Sequence, residues 1–203
     1  MFSARFLAPA LFVLSSLTVP VASFADSSVD YSNAGGTLTG SNSGFSLSNS
    51  TLIAVIGPSG MVTGDLGTVS FTTGALTSGN LQTGGILAAG GTFDITGNGS
   101  NGVPNGTLFS GSFSGPVTWA MTTLGNGTHN YTLTGAIAGN GQAVAGVTVQ
   151  LTINTGMGFF AGSTSIAGGD TTIVGSVPEP STVAMFGTGV VGLLGLVRRK
   201  LQA

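Results

Sequence analysis

Residues 146–154, Gly-Val-Thr-Val-Gln-Leu-Thr-Ile-Asn, alternate apolar and polar side chains without a break. Val147, Val149, Leu151 and Ile153 share one face; Thr148, Gln150, Thr152 and Asn154 share the other. A period of two is that of a β-strand with one face turned to a core. The same alternation places Val117, Trp119 and Met121 on one face of residues 116–122. It recurs for Tyr131, Leu133 and Ile137, for Val69 with Phe71, for Phe93 with Ile95, and for Phe109 with Phe113. Leu52 to Ile56 is a short continuous apolar run, which predicts a more deeply buried strand.

Turn signals separate these runs: Asn98-Gly99, Asn101-Gly102, Asn105-Gly106, Asn126-Gly127 and Asn140-Gly141. Asn-Gly supplies the positive φ angles of tight hairpins. No stretch between 26 and 175 carries a helical period with caps. The expectation is therefore an all-β domain over residues 26–175, of about seven to ten short strands in an antiparallel β-sandwich. A β-solenoid is the alternative, since Gly, Asn and Thr suit stacked coils; the lack of a fixed-period repeat counts against it.

Charge narrows the function. The chain's Lys and Arg residues are Arg5, Arg198, Arg199 and Lys200, so residues 6–197 hold no permanent cation. Nucleic acid is excluded as a partner, because binding it requires Lys and Arg to displace phosphate counterions. The chain has no Cys, which excludes disulfides, thiol chemistry and cysteine metal sites.

Both ends are apolar. Residues 1–25 read as a secretory signal peptide: Arg5 is its positive start, Phe6 to Pro20 its apolar stretch, and Ser23-Phe24-Ala25 its cleavage signal, with the cut between Ala25 and Asp26. At the other end, residues 181–197 are uncharged and long enough, at ~1.5 Å per residue, to make a thin single transmembrane helix. Arg198, Arg199 and Lys200 follow at once and orient that helix with its C-terminus inside. Before it stands Val177-Pro178-Glu179-Pro180-Ser181, where two prolines fix an exposed extended stretch.

This three-part tail, residues 176–203, resembles the PEP-CTERM sorting signal of Gram-negative bacteria. The matching residues are Val177, Pro178, Glu179 and Pro180, the Gly-rich stretch 181–197, and the basic cluster Arg198, Arg199 and Lys200. The resemblance implies processing by exosortase, a membrane-embedded cysteine transpeptidase-like enzyme. It implies a precursor tethered transiently to the inner membrane, then release to the cell surface or the extracellular matrix. It describes sorting and is silent about residues 26–175.

Candidate chemistry in the middle of the chain is sparse. Asp94, Thr96, Asn98 and Ser100 sit at the first, third, fifth and seventh positions of a calcium-loop-like run. Asn105 stands where a bidentate Glu is needed, and a Gly/Asn hairpin loop is the preferred reading. His129 is the chain's single histidine, with no carboxylate near it in sequence, and reads as a polar residue at the start of a strand. Asp65, Asp94 and Asp170 share no local motif that would pair them for glycoside hydrolysis. Trp119 and Tyr131 lie in register with apolar neighbours, which predicts core packing rather than a sugar platform. The sequence thus points to a non-catalytic secreted surface or extracellular-matrix protein, without cofactor or bound metal. A carbohydrate-binding or adhesin module of the exopolysaccharide matrix is the alternative, with exopolysaccharide as its expected partner.

Overall fold

The computed structural model describes residues 28–140 and 144–175. They belong to one compact unit, Asp26–Ser176. Thirteen strands follow in chain order. The first six are β1 (Ser28–Ala34), β2 (Thr37–Ser41), β3 (Gly44–Gly57), β4 (Gly60–Thr72), β5 (Leu76–Asn80) and β6 (Gly84–Leu87). The rest are β7 (Gly90–Asn98), β8 (Asn105–Phe113), β9 (Val117–Thr123), β10 (His129–Gly139), β11 (Val144–Asn154), β12 (Ser163–Ser165) and β13 (Gly168–Gly175). A 3-10 turn at Ser100–Gly102 is the helical piece among the described residues.

The domain is all-β, and every described strand pairing is antiparallel. The strands expected to divide between two sheets are instead hydrogen-bonded into one 13-stranded sheet. Its path runs β11-β13-β1-β3-β4-β7-β8-β10, and a further β10–β11 pairing joins the ends of that path. The wall therefore closes on itself. Closure is possible because β10 is long enough to serve several neighbours: residues 129–134 pair with β9, 137–139 with β8, and 130–136 with β11. The solenoid alternative would stack its coils as parallel ladders, and the described pairings contain none.

Alternation decides which side of the wall is buried. Along β10, His129, Tyr131, Leu133 and Ile137 point inward, and Thr132 and Thr134 point outward. Register carries this inward set across the wall: Leu133 sits opposite Trp119 on one side and Leu151 on the other. The interior is one cluster rich in aromatic rings. Phe71 and Phe93 stack, with Phe113 set edge-on against both. Trp119, Tyr131, Phe45 and Phe160 form a second group of rings in the same core.

The Leu52–Ile56 run departs from its expected burial. Leu52 is fully buried, but Ile53 and Ile56 are 40% and 42% exposed. Two irregularities of register explain Ile53. On one side Leu52 and Ala54 pair with Asn33 and Ser32, consecutive residues of β1; on the other they pair with Gly67 and Thr63 of β4. Ile53 is thus an extra residue against β1 and faces three β4 residues on the other side. Ile56 lies on the outer face, opposite Met61 and Asp30. Gly67 makes the β4 bulge possible: its φ is 147°, and a Cβ there would strike the Thr96 carbonyl oxygen of β7.

The Asn-Gly signals are spent unevenly. Those at 98, 101 and 105 fall together at the β7–β8 connection, where Asn98 and Asn105 face each other in register. Asn126-Gly127 makes the β9–β10 turn, in which the Asn126 Oδ1 accepts from the Thr128 amide at 3.1 Å.

Candidate functional site

Trp119 on β9 and Tyr131 on β10 meet because their strands pair antiparallel with Tyr131 opposite Met121 and Leu133 opposite Trp119. Their rings stack with centroids 4.9 Å apart. Both are buried, at 1% and 0% exposure. Their polar ends are used internally. Trp119 Nε1 donates to the Leu81 carbonyl at 2.8 Å, and the Tyr131 hydroxyl donates to the Gln82 carbonyl at 2.6 Å. The same hydroxyl accepts from the Phe160 amide at 3.1 Å. The pair therefore pins the turn between β5 and β6, and the 159–160 segment, to the core. Sequence reasoning found the burial and missed these bonds. Residues 81–83, Leu-Gln-Thr, carry no alternation that points to a partner.

His129 opens β10 as expected. Its Nδ1 lies 3.1 Å from the Thr123 Oγ1, and its ring stacks on Phe159 at 4.7 Å. A hydroxyl and an imidazole in contact are two parts of a nucleophilic set. The third part is a carboxylate that fixes the imidazole tautomer, and among the described residues none is hydrogen-bonded to the ring.

The described acids are spread over the outer wall. Asp170 on β13 accepts from the Ser32 hydroxyl at 2.7 Å, and Asp30 on β1 accepts from the Thr172 hydroxyl. Asp65 in the β4 bulge accepts from the Asn98 amide, through its carbonyl at 3.1 Å and its carboxylate at 3.3 Å. With no Lys or Arg within reach in the sequence, neutral hydroxyl and amide groups satisfy the carboxylates. Asp170 borders a shallow depression with Ser32, Ile53, Gln150 and Thr152. That surface offers the hydroxyl, amide and carboxylate groups of Ser32, Thr152, Gln150 and Asp170 for hydrogen bonding.

The candidate carboxylates are not brought together. Asp170 on β13 and Asp94 on β7 are four strand steps apart, about 19 Å along the wall at ~4.8 Å per step. Asp65 is hydrogen-bonded to Asn98, four residues from Asp94 along β7, or about 13 Å of extended strand. Glycosidase pairs stand roughly 5–9.5 Å apart. The calcium-loop residues fare similarly. Asp94, Thr96 and Asn98 lie within strand β7, at successive outward positions roughly 6–7 Å apart. Only Ser100 lies in the turn, and its amide donates to Asn98 Oδ1 at 3.0 Å. A cation needs its oxygens at about 2.3–2.6 Å, which an extended strand does not provide. Among the described residues no three of His, Cys, Asp and Glu gather in a metal-binding group.

A family model described as the PEP-CTERM protein-sorting motif matches residues 176–200. The chain carries a PEP-CTERM sorting motif. The PEP-CTERM match takes in Val177, Pro178, Glu179, Pro180, Arg198, Arg199 and Lys200, and it implies exosortase-dependent sorting to the cell surface from a membrane-anchored precursor. Those residues lie outside the described ones, as do the 181–197 span, the 1–25 signal peptide and its Ala25–Asp26 cleavage point. Among the described residues no helix is long and apolar enough to cross a membrane. No curated protein and no solved structure matches the chain. The motif thus accounts for the tail, and the strand domain rests on its own geometry.

Proposed function

We propose that the protein is an exported, non-catalytic component of the cell surface or extracellular matrix, delivered and trimmed by exosortase. The sorting motif at 176–200 supports the delivery route. The burial of Trp119 and Tyr131 carries the choice of a structural role for the delivered domain. A sugar-binding platform needs an aromatic face open to solvent, and the chain's one Trp, with its stacked Tyr, has its face and its polar ends committed to the core. What the domain presents outward is rich in hydroxyl and amide groups, interrupted by exposed apolar side chains such as Met61, Met157 and Phe159. One row runs Thr51, Thr68, Thr96 and Thr107 across β3, β4, β7 and β8. Such a surface hydrogen-bonds neutral polysaccharide weakly and at many points, as a matrix component does, rather than gripping one ligand.

Fractionation of the native host with and without its exosortase tests this reading. Loss of the enzyme should leave the protein in the inner-membrane fraction, and its presence should move the domain to the surface or medium. An unchanged distribution contradicts the reading.

A further inference from the structure

Exposed large apolar side chains lie at two places: on the β3–β4 hairpin, and at the opposite end of the strands, where Leu124, Met157 and Phe159 are 38%, 77% and 53% exposed. The hairpin is the one beside which the chain leaves the wall. Ile56 and Met61 form a register pair on the outer face, 42% and 66% exposed. Val55 and Val62 form the next pair on the inner face, where they pack half-buried against the core. The tip between them, Gly57-Pro58-Ser59-Gly60, is uncharged. Ile56 and Met61 thus leave an apolar pair uncovered on the outer face of an uncharged tip.

The path of the chain says what lies near. β1 opens at Ser28 opposite Val174, and β13 closes at Gly175. Asp30, two residues into β1, pairs with Ile56 of the hairpin. The polypeptide therefore leaves the wall beside this tip. Residues 176–180 separate Gly175 from the apolar run at 181–197. Five residues reach at most about 18 Å. While the tail is in a bilayer, this end of the domain is held at its surface. Tethering of that kind turns weak insertion into a frequent event.

We propose that the hairpin tip, residues 55–62, rests in the headgroup region of the bilayer that holds the precursor, with Ile56 and Met61 as its apolar contacts. This inference rests on the membrane-tethered precursor of the proposed function. The lipid it suits is zwitterionic, because the tip and residues 6–197 around it supply no cation for anionic headgroups.

The chain has no Cys, so a single introduced thiol gives a unique label. The full-length chain carrying Ser59→Cys, labelled with an environment-sensitive fluorophore, is reconstituted into phosphatidylcholine vesicles with and without brominated acyl chains. Asn126→Cys, in the β9–β10 turn, is the comparison. The expected result is a blue shift and bromine quenching at position 59 and neither at 126. Ile56→Ser with Met61→Ser, at an unchanged melting temperature, should abolish most of the quenching. If the chain floats with the vesicles but the label at 59 stays water-like, the inference fails while tethering stands. A blue shift without bromine quenching also overturns it: dependence on protein density identifies a second copy as the cover, and independence identifies another segment of the same chain. A chain that does not float with the vesicles overturns both the inference and the tethered precursor.

Discussion

Trp119 and Tyr131 stack at 4.9 Å with their ring planes 16° apart, and each donates its polar hydrogen to a main-chain carbonyl of the same turn, at Leu81 and Gln82. An aromatic pair of this kind contributes about 0.5–1.5 kcal/mol beyond the area it buries. Its two hydrogen bonds do a second job. They hold the β5–β6 hairpin, whose strand β5 is otherwise an end of the sheet path, against the core.

Tyr131→Phe tests that job. The ring stays, but the Gln82 carbonyl and the Phe160 amide lose their partner. The expected cost is about 1–3 kcal/mol, read as a lower urea midpoint with an unchanged slope. Hydrogen exchange should quicken locally in β5 and β6. A variant as stable as the parent contradicts this role.

Gly67→Ala should be far more damaging than Gly115→Ala. At Gly67 a Cβ meets the Thr96 carbonyl oxygen, and φ is 147°; at Gly115 it meets open space. Backbone strain and the clash together predict a loss of at least about 2 kcal/mol for the first, and a change within about 0.5 kcal/mol for the second. Thermal melts of the two variants compare them directly.

These two cases show what the alternating pattern could and could not tell. Trp119, Tyr131, Leu133, Phe93 and Ile95 lie in the core where their period of two placed them, because one buried face leaves a strand no other choice. The closing β10–β11 pairing, the Gly67 bulge and the exposed Ile53 and Ile56 were not legible. They depend on which strands become neighbours and on a register shift, and neither leaves a mark in the local pattern. The Asp94–Ser100 run shows the opposite failure. Its ligand spacing is real in sequence, but strand geometry pulls the oxygens apart. The tail motif was legible because it is local: tripeptide, apolar run and basic cluster follow one another directly.

Calcium should leave the protein unchanged. Asp94, Thr96 and Asn98 are spaced along β7 rather than wrapped round a point. Melting temperature with millimolar calcium should equal that with chelator. A rise of several degrees means that the β7–β8 connection rearranges into a site.

Alkaline pH should destabilise the domain through Tyr31. Burial raises its phenol above the ordinary value of 10.0. The sign follows from proton counting. Near and above pH 10 the unfolded chain releases the Tyr31 proton while the folded chain keeps it, so folding is opposed increasingly as pH rises toward the folded value. The stabilisation is complete below the unfolded value. Tyr31→Phe should flatten the fall in stability above pH 10, measured by denaturation at a series of pH values. An identical alkaline fall in the variant rules this source out.

The intact mass of the protein recovered from the surface of its own host tests the central claim most directly. The account predicts a C-terminus at or near Val177-Pro178-Glu179-Pro180, with the 181–197 segment and Arg198 to Ala203 gone. A mature protein that still ends at Ala203 contradicts it.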